Sequence, residues 1–243
     1  MKDRFSEHSS LYAAFRPRYP QALYDFIFGH VRSFDMAWDA ATGNGQAASV
    51  LAGSFKKVIA TDISAKQLEH AIRLPNVDYV LAGETTVLPD HSVDLITVAQ
   101  AIHWLDRHKF YLEVRRVAKP GAVVAVWVYG LLKTSPSIDP LIGHFYTRVV
   151  GPYWDPERRL IDEQLKTIEF PFEEIKSPPF TMTYEWTLAE LEGYLNTWSA
   201  TQNYIIANRE NPVAKLMAEV SQVHAASRLK VHFPLFLRLG VLR

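Results

Sequence analysis

The spacing of apolar and polar residues predicts a layered α/β fold. Val58-Ile59-Ala60-Thr61-Asp62, Val77-Asp78-Tyr79-Val80-Leu81, Val93-Asp94-Leu95-Ile96-Thr97-Val98-Ala99 and Ala122 to Tyr129 are short apolar or β-branched runs of strand length. The run from Val93 reads as a central parallel strand, apolar on both faces. An earlier strand ends near Asp39, and a helix is expected over Arg107 to Ala118, stopped by Lys119-Pro120-Gly121. Five strands alternating with helices predict a doubly wound, mostly parallel sheet.

Flanking segments follow other patterns. Leu11, Tyr12, Phe15, the Arg16-Pro17-Arg18-Tyr19-Pro20 punctuation and Leu23, Tyr24, Phe26, Ile27 and Phe28 suit a short helix, a loop and an amphipathic helix ending near Gly29. After Leu131 the parallel alternation lapses. Gly143 to Leu165 reads as helical, Phe180 to Trp186 as extended, and Thr187 with Glu190 as a capping box for a helix over Leu188 to Trp198. Asn211-Pro212 opens a last long helix, and Val231 to Arg238 reads as a closing strand. One domain is expected over 1–243. Its parts are an N-terminal helical flap (1–34), a cofactor-binding core (35–130), a cap over the substrate (131–200) and a C-terminal helix with closing strand (201–243).

Composition narrows the partners. The 243 residues carry zero formal net charge, so no global field would hold nucleic acid or an anionic membrane. There is no cysteine, which removes disulfides, thiolate catalysis and cysteine-bound zinc, and no metal site is expected. Met1 to Phe5 lacks the apolar core of a signal peptide, and the longest apolar run, Ala122 to Leu132, is too short to span a bilayer. A soluble, cytoplasmic protein is expected.

The chemistry centres on Ala37-Trp38-Asp39-Ala40-Ala41-Thr42-Gly43-Asn44-Gly45, a strand end running into a glycine turn that opens a helix. Ligands sit at such places in parallel sheets: glycines let them touch the backbone, and the first helical amides point outward. Gly43 to Ala48 also fits the G-x-G-x-x-A dinucleotide fingerprint. Asp39 argues against a diphosphate, because a carboxylate there repels phosphates and pairs with an ammonium such as that of S-adenosylmethionine. Asp62, ending the second strand, suits a ribose; its alternative duty, capping the next helix, is one Ser64 can perform. Gln67 and Leu68, one turn into the next helix, could line the adenine side, and Gly83-Glu84 ends the third strand where a flat base could be read. Gln100, Ala101, His103 and Trp104 follow the central strand, facing the same crevice.

These motifs in this order resemble the class I S-adenosylmethionine-dependent methyltransferases of the type 11 group. Tyr12 with Arg16 to Pro20, Ala101-Ile102-His103-Trp104-Leu105-Asp106 and Thr197-Trp198-Ser199-Ala200 resemble the branch that includes trans-aconitate methyltransferases. The resemblance implies a Rossmann-like, seven-stranded, mostly parallel sheet with a mainly helical cap after strand five. It implies S-adenosylmethionine as cofactor, S-adenosylhomocysteine as product and a small-molecule acceptor, with a carboxylic acid as one class. Cofactor contacts would fall on Tyr12, Arg16, Asp39, Ala41, Thr42, Gly43, Gly45, Asp62, Ile63, Gln67, Gly83, Glu84, Gln100 and Ala101. Substrate contacts would fall on Tyr19, His103, Trp104, Tyr146, Trp154 and Trp198. His103 would position a carboxylate nucleophile, or act as base toward a hydroxyl or amine. Ala41 departs from the usual glycine, at little cost if its φ is negative. The rival readings are an NAD-type oxidoreductase and a methyltransferase-like module that binds without chemistry.

Overall fold

The structure is a computed structural model and describes residues 17–243. The short helix expected before Pro17, with Tyr12 and Arg16, lies outside the described residues. The strands are β1 (Met36–Ala40), β2 (Lys57–Asp62), β3 (Val77–Leu81), β4 (Val93–Ala99), β5 (Ala118–Tyr129), β6 (Glu173–Ile175), β7 (Phe180–Trp186) and β8 (Leu229–Val241). One path of seven runs β3-β2-β1-β4-β5-β8-β6, and β7 pairs the other stretch of β8. The pairs from β3 to β5 are parallel, and all pairs made by β8 are antiparallel.

Period-two alternation builds the two cores. Along β5, Val123, Ala125 and Trp127 enter one core, while Val124, Val126 and Val128 enter the other. Helices α1 (Gln21–Phe28) and α2 (Gln46–Leu51) close the first face through Leu23, Ile27, Ala48 and Leu51. The short helix α3 (Ala65–Glu69) follows β2. Helix α4 (Arg107–Val117) closes the second face through Phe110, Val114 and Val117.

Three boundaries differ from expectation. Lys119-Pro120-Gly121 does not separate a helix from a strand but lies within β5. Val93 pairs Ala118 and Leu95 pairs Val123, so the Lys-Pro-Gly segment bulges out of the ladder. Gly121 permits this with φ +80°. Second, the segments over 173–175 and 180–186 join the sheet through β8 instead of belonging to the cap. Third, residue 200 is no boundary. The cap helices are α5 (Asp139–His144), α6 (Arg159–Asp162), α7 (Leu188–Asn196), α8 (Ser199–Asn208) and α9 (Val213–Val223), and α9 packs on both α7 and α5. The capping box at Thr187 and Glu190 is present.

Asp94 explains why the bulge and the start of β1 stay together. Its Oδ2 accepts from the backbone N–H of Asp35 (3.1 Å) and Met36 (2.9 Å). Its Oδ1 lies 2.8 Å from Lys119 Nζ in the bulge. Asp94→Ala leaves two amides unpartnered and removes one of the two carboxylates that Lys119 meets, so unfolding in urea should show a loss of about 2–4 kcal/mol. Lys119→Met, at a part-exposed site, should cost under about 1 kcal/mol. Equal losses in the two variants would assign the effect to the ion pair and not to the amides.

Candidate active site

β1 carries Asp39 into the sheet in register with Thr97 of β4. The two side chains share a face, so Asp39 Oδ1 accepts from Thr97 Oγ1 at 2.6 Å. Its Oδ2 accepts from Thr42 Oγ1 at 2.5 Å and from the Ala48 amide at 3.1 Å. The residue is 0 % exposed. Burial raises its pKa to about 6; the threonine and amide bonds oppose this, and nearby Asp62 adds to the rise. Asp39 thus holds the turn, with both oxygens accepting hydrogen bonds from within the chain.

The turn itself is left-handed at three positions, with φ +52° at Ala41, +57° at Gly43 and +84° at Gly45. Ala41 thus does not have the negative φ that would make it harmless, and costs about 1 kcal/mol or more relative to glycine. A Cβ on Gly45 would lie 2.3 Å from Tyr79 Oη, so only glycine fits there. On Gly43 it would meet nothing nearer than Gln67 Oε1 at 3.9 Å. Gly43 is therefore the open floor, and Gln67 borders it.

Several amides within the turn point inward. Thr42 donates to Thr61 O (2.9 Å) and Gly45 to Thr42 O (3.0 Å). Gly43 donates to Asp62 Oδ2 at 2.8 Å, while Asp62 Oδ1 accepts from Ser64 N–H at 2.9 Å. Ser64, not Asp62, caps α3 by accepting from Gln67 N–H. The floor is thus a backbone surface above two buried carboxylates.

The neighbouring loops are braced in turn. A Cβ on Gly83 would stand 3.7 Å from Ile63 Cγ2, placing the β3 and β2 ends together. Glu84 Oε1 accepts from Asp106 N–H at 3.0 Å, at the start of α4. Gln100, at φ +57°, accepts from Tyr129 N–H through Oε1 (2.8 Å) and faces the cap cleft. Ala101 O accepts from Trp104 N–H. Tyr19 packs edge-on against Trp127, with centroids 5.4 Å apart.

The cap closes over the β4 end. Gln100, His103 and Trp104 face Trp154, Arg158 and Trp198 across a narrow cleft. Tyr146 does not line it. Its hydroxyl donates to Asp162 Oδ1 (2.6 Å) and accepts from Arg158 Nε (3.0 Å), behind the wall. His103 is 5 % exposed, and its Nδ1 has no partner among the described residues. Burial, with help from the charge of Arg158, lowers its pKa to about 3, so the ring is neutral at physiological pH. Arg158 itself escaped the sequence reading. Pro156-Glu157-Arg158-Arg159 looks like a solvated charge run, and the only hint was the Trp154-Asp155-Pro156 turn before it. Among the described residues no group of three or more metal-ligating side chains comes together, and no helix is long and apolar enough to cross a membrane.

Asp39 also sets a pH dependence of folding. Its folded pKa of about 6 lies above the ordinary 3.8, so ionisation weakens the fold as pH rises through that window and leaves a constant penalty above it. Asp39→Asn removes the ionisation. The stability of wild type relative to this variant, read from urea unfolding, should fall by roughly 1–3 kcal/mol between about pH 4 and 6.5. A gap that does not change with pH would show that Asp39 ionises normally.

Similarity to known proteins agrees with this geometry. Residues 38–126 match the family described as "Methyltransferase domain", a span running from β1 into β5. A Dictyostelium discoideum protein named as a methyltransferase is 33 % identical, with 98 % of this chain and 94 % of the relative covered. The methyltransferase cfoB of Aspergillus candidus is 28 % identical over 74 % of this chain and 64 % of its own. The solved structure of an Anaeromyxobacter dehalogenans protein titled a type II methyltransferase superposes with a TM-score of 0.87 at 36 % identity, covering 94 % of this chain and 98 % of that one. Glycine turn, acidic floor, strand order and end-to-end similarity together make this chain a member of the class I S-adenosylmethionine-dependent methyltransferases.

Proposed function

We propose that the protein transfers the methyl group of S-adenosylmethionine to a small-molecule acceptor, and that a carboxylic acid is the acceptor class the site suits best. The observation that carries this is the acidic floor. Asp39 and Asp62 lie together beneath the turn, and Asp39 has no cationic partner among the described residues. Such a floor attracts an aminoacyl ammonium and repels a diphosphate. The sheet also departs from an all-parallel dinucleotide fold, because antiparallel β8 adjoins β5. Both features work against the oxidoreductase reading.

In this proposal Gly43 gives the donor a backbone surface, with Thr42 and Gly45 shaping the turn. Each carboxylate oxygen accepts more than one hydrogen bond, so Asp62 can hold ribose hydroxyls while bonded to the turn. Ile63, Gln67 and Gly83 frame the base, with Glu84 at their edge. Once bound, the donor supplies a methyl made electrophilic by its sulfonium. The chain's own part is to align that methyl with the acceptor and exclude water. Trp104, Trp154 and Trp198 provide the apolar walls. His103 positions the acceptor as a neutral ring; with a conjugate-acid pKa of about 3 it is too weak a base to deprotonate a hydroxyl or ammonium efficiently. An acceptor already anionic at neutral pH, such as a carboxylate, needs no base. The neutral overall charge speaks against nucleic acid or an anionic membrane as the acceptor.

The test is methyl transfer from labelled S-adenosylmethionine to a panel of small carboxylic acids, with rates followed from pH 5 to 9. For whichever acid accepts label, log(kcat/KM) should show no limb that His103→Asn abolishes. The variant should lower turnover by roughly tenfold while leaving donor affinity within about threefold. A limb near pH 6–7 that disappears in His103→Asn would make His103 the base and move the acceptor class to alcohols or amines. No transfer to any acid would overturn the carboxylic-acid assignment.

A further inference from the structure

The cap carries an arginine arranged as an anion fork. Arg158 ends the turn Pro156–Arg158, which packs directly on the Ile102–Trp104 turn. Its side chain is 17 % exposed. Nε donates to Tyr146 Oη, which donates to Asp162. The guanidinium carbon lies 4.8 Å from the Trp154 ring centroid and 5.6 Å from that of Tyr146. One nitrogen is thus tethered and the guanidinium carbon lies over two rings, which fixes the head group at little further entropic cost. Its two terminal nitrogens have no hydrogen-bond partner among the described residues, and the residue lines the cleft with His103 and Trp198.

We propose that Arg158 is the positioning residue that docks a carboxylate of the methyl acceptor through its two terminal nitrogens. This rests on the methyl-transfer reading and says how the acceptor is held. A guanidinium presents paired N–H groups at the spacing of two carboxylate oxygens, and an amide or ester offers one acceptor where the fork needs two. Asp155 lines the same cleft and His103 is neutral, so among the described residues Arg158 is the only cationic side chain lining it. That balance suits a monoanionic carboxylate better than a dianionic phosphate. No residue of the β1 turn or of β2 lines this cleft, so the fork serves the acceptor and not the donor's own carboxylate. Tyr146, expected to touch substrate, instead aims the arginine.

The test uses binding, so it does not depend on turnover. With S-adenosylhomocysteine present, tryptophan emission is titrated with succinate, with shorter and longer mono- and dicarboxylates, and with succinamide, for wild type, Arg158→Gln and Arg158→Lys. Wild type should bind at least one acid saturably and succinamide not at all. Affinity for that acid should fall at least tenfold in Arg158→Gln and by less in Arg158→Lys, with S-adenosylhomocysteine affinity held within twofold as proof of fold. The proposal is overturned if no acid binds wild type, if Arg158→Gln binds the acid equally well, or if the variant loses S-adenosylhomocysteine instead. Arg158-dependent acid binding without methyl transfer would sink the methyl-transfer reading and keep the anchor. Methyl transfer to acids with unchanged KM in Arg158→Gln would do the reverse.

Discussion

One buried carboxylate ties the functional end of the sheet together. Asp39 joins its own strand to β4 through Thr97, to the glycine turn through Thr42 and to α2 through the Ala48 amide. An ionised group at that depth carries a desolvation cost of several kcal/mol, which hydrogen bonds from two hydroxyls and an amide only partly offset. A cation bound above the turn would supply the missing compensation. The same interaction that shapes the turn therefore biases what it binds, since ligand charge and Asp39 ionisation stabilise each other.

The cap is organised by aromatic packing instead. Tyr146, Trp154 and Trp198 contact one another with centroids 5.0–5.6 Å apart, and Trp198 continues through Tyr194 to Phe233 of β8. The cap thus rests on the antiparallel part of the sheet. Its wall and the Arg158 head group are fixed by contacts within the cap. The cap meets the sheet at the β4 end, where Gln100 ties the loop to β5 and His103 lines the cleft.

Much of this was legible in the chain. Strands β2 to β5, the glycine turn, the capping box at Thr187 and the closing strand all follow from local periodicity and turn chemistry. What the sequence did not reveal depends on distant partners. The bond of Asp39 to Thr97 joins residues far apart in sequence, although both stand out as polar breaks in apolar strands. The positive φ of Ala41 is imposed by the turn's tertiary setting, and sequence pointed the other way. Lys119-Pro120-Gly121 carries every mark of a helix stop, yet the bonds of Lys119 to Asp94 and Asp35 fold it into a bulge. Arg158 stayed hidden because the three-residue turn Pro156–Arg158 carries no periodic signal to tell which side chain faces the cleft.

Charge selection at the floor of the donor site is tested most directly by calorimetric titration of the native chain with S-adenosylhomocysteine and, separately, with NADH. One-to-one uptake of S-adenosylhomocysteine without measurable NADH binding is the expected result. Uptake of NADH, or failure to take up S-adenosylhomocysteine, would contradict it.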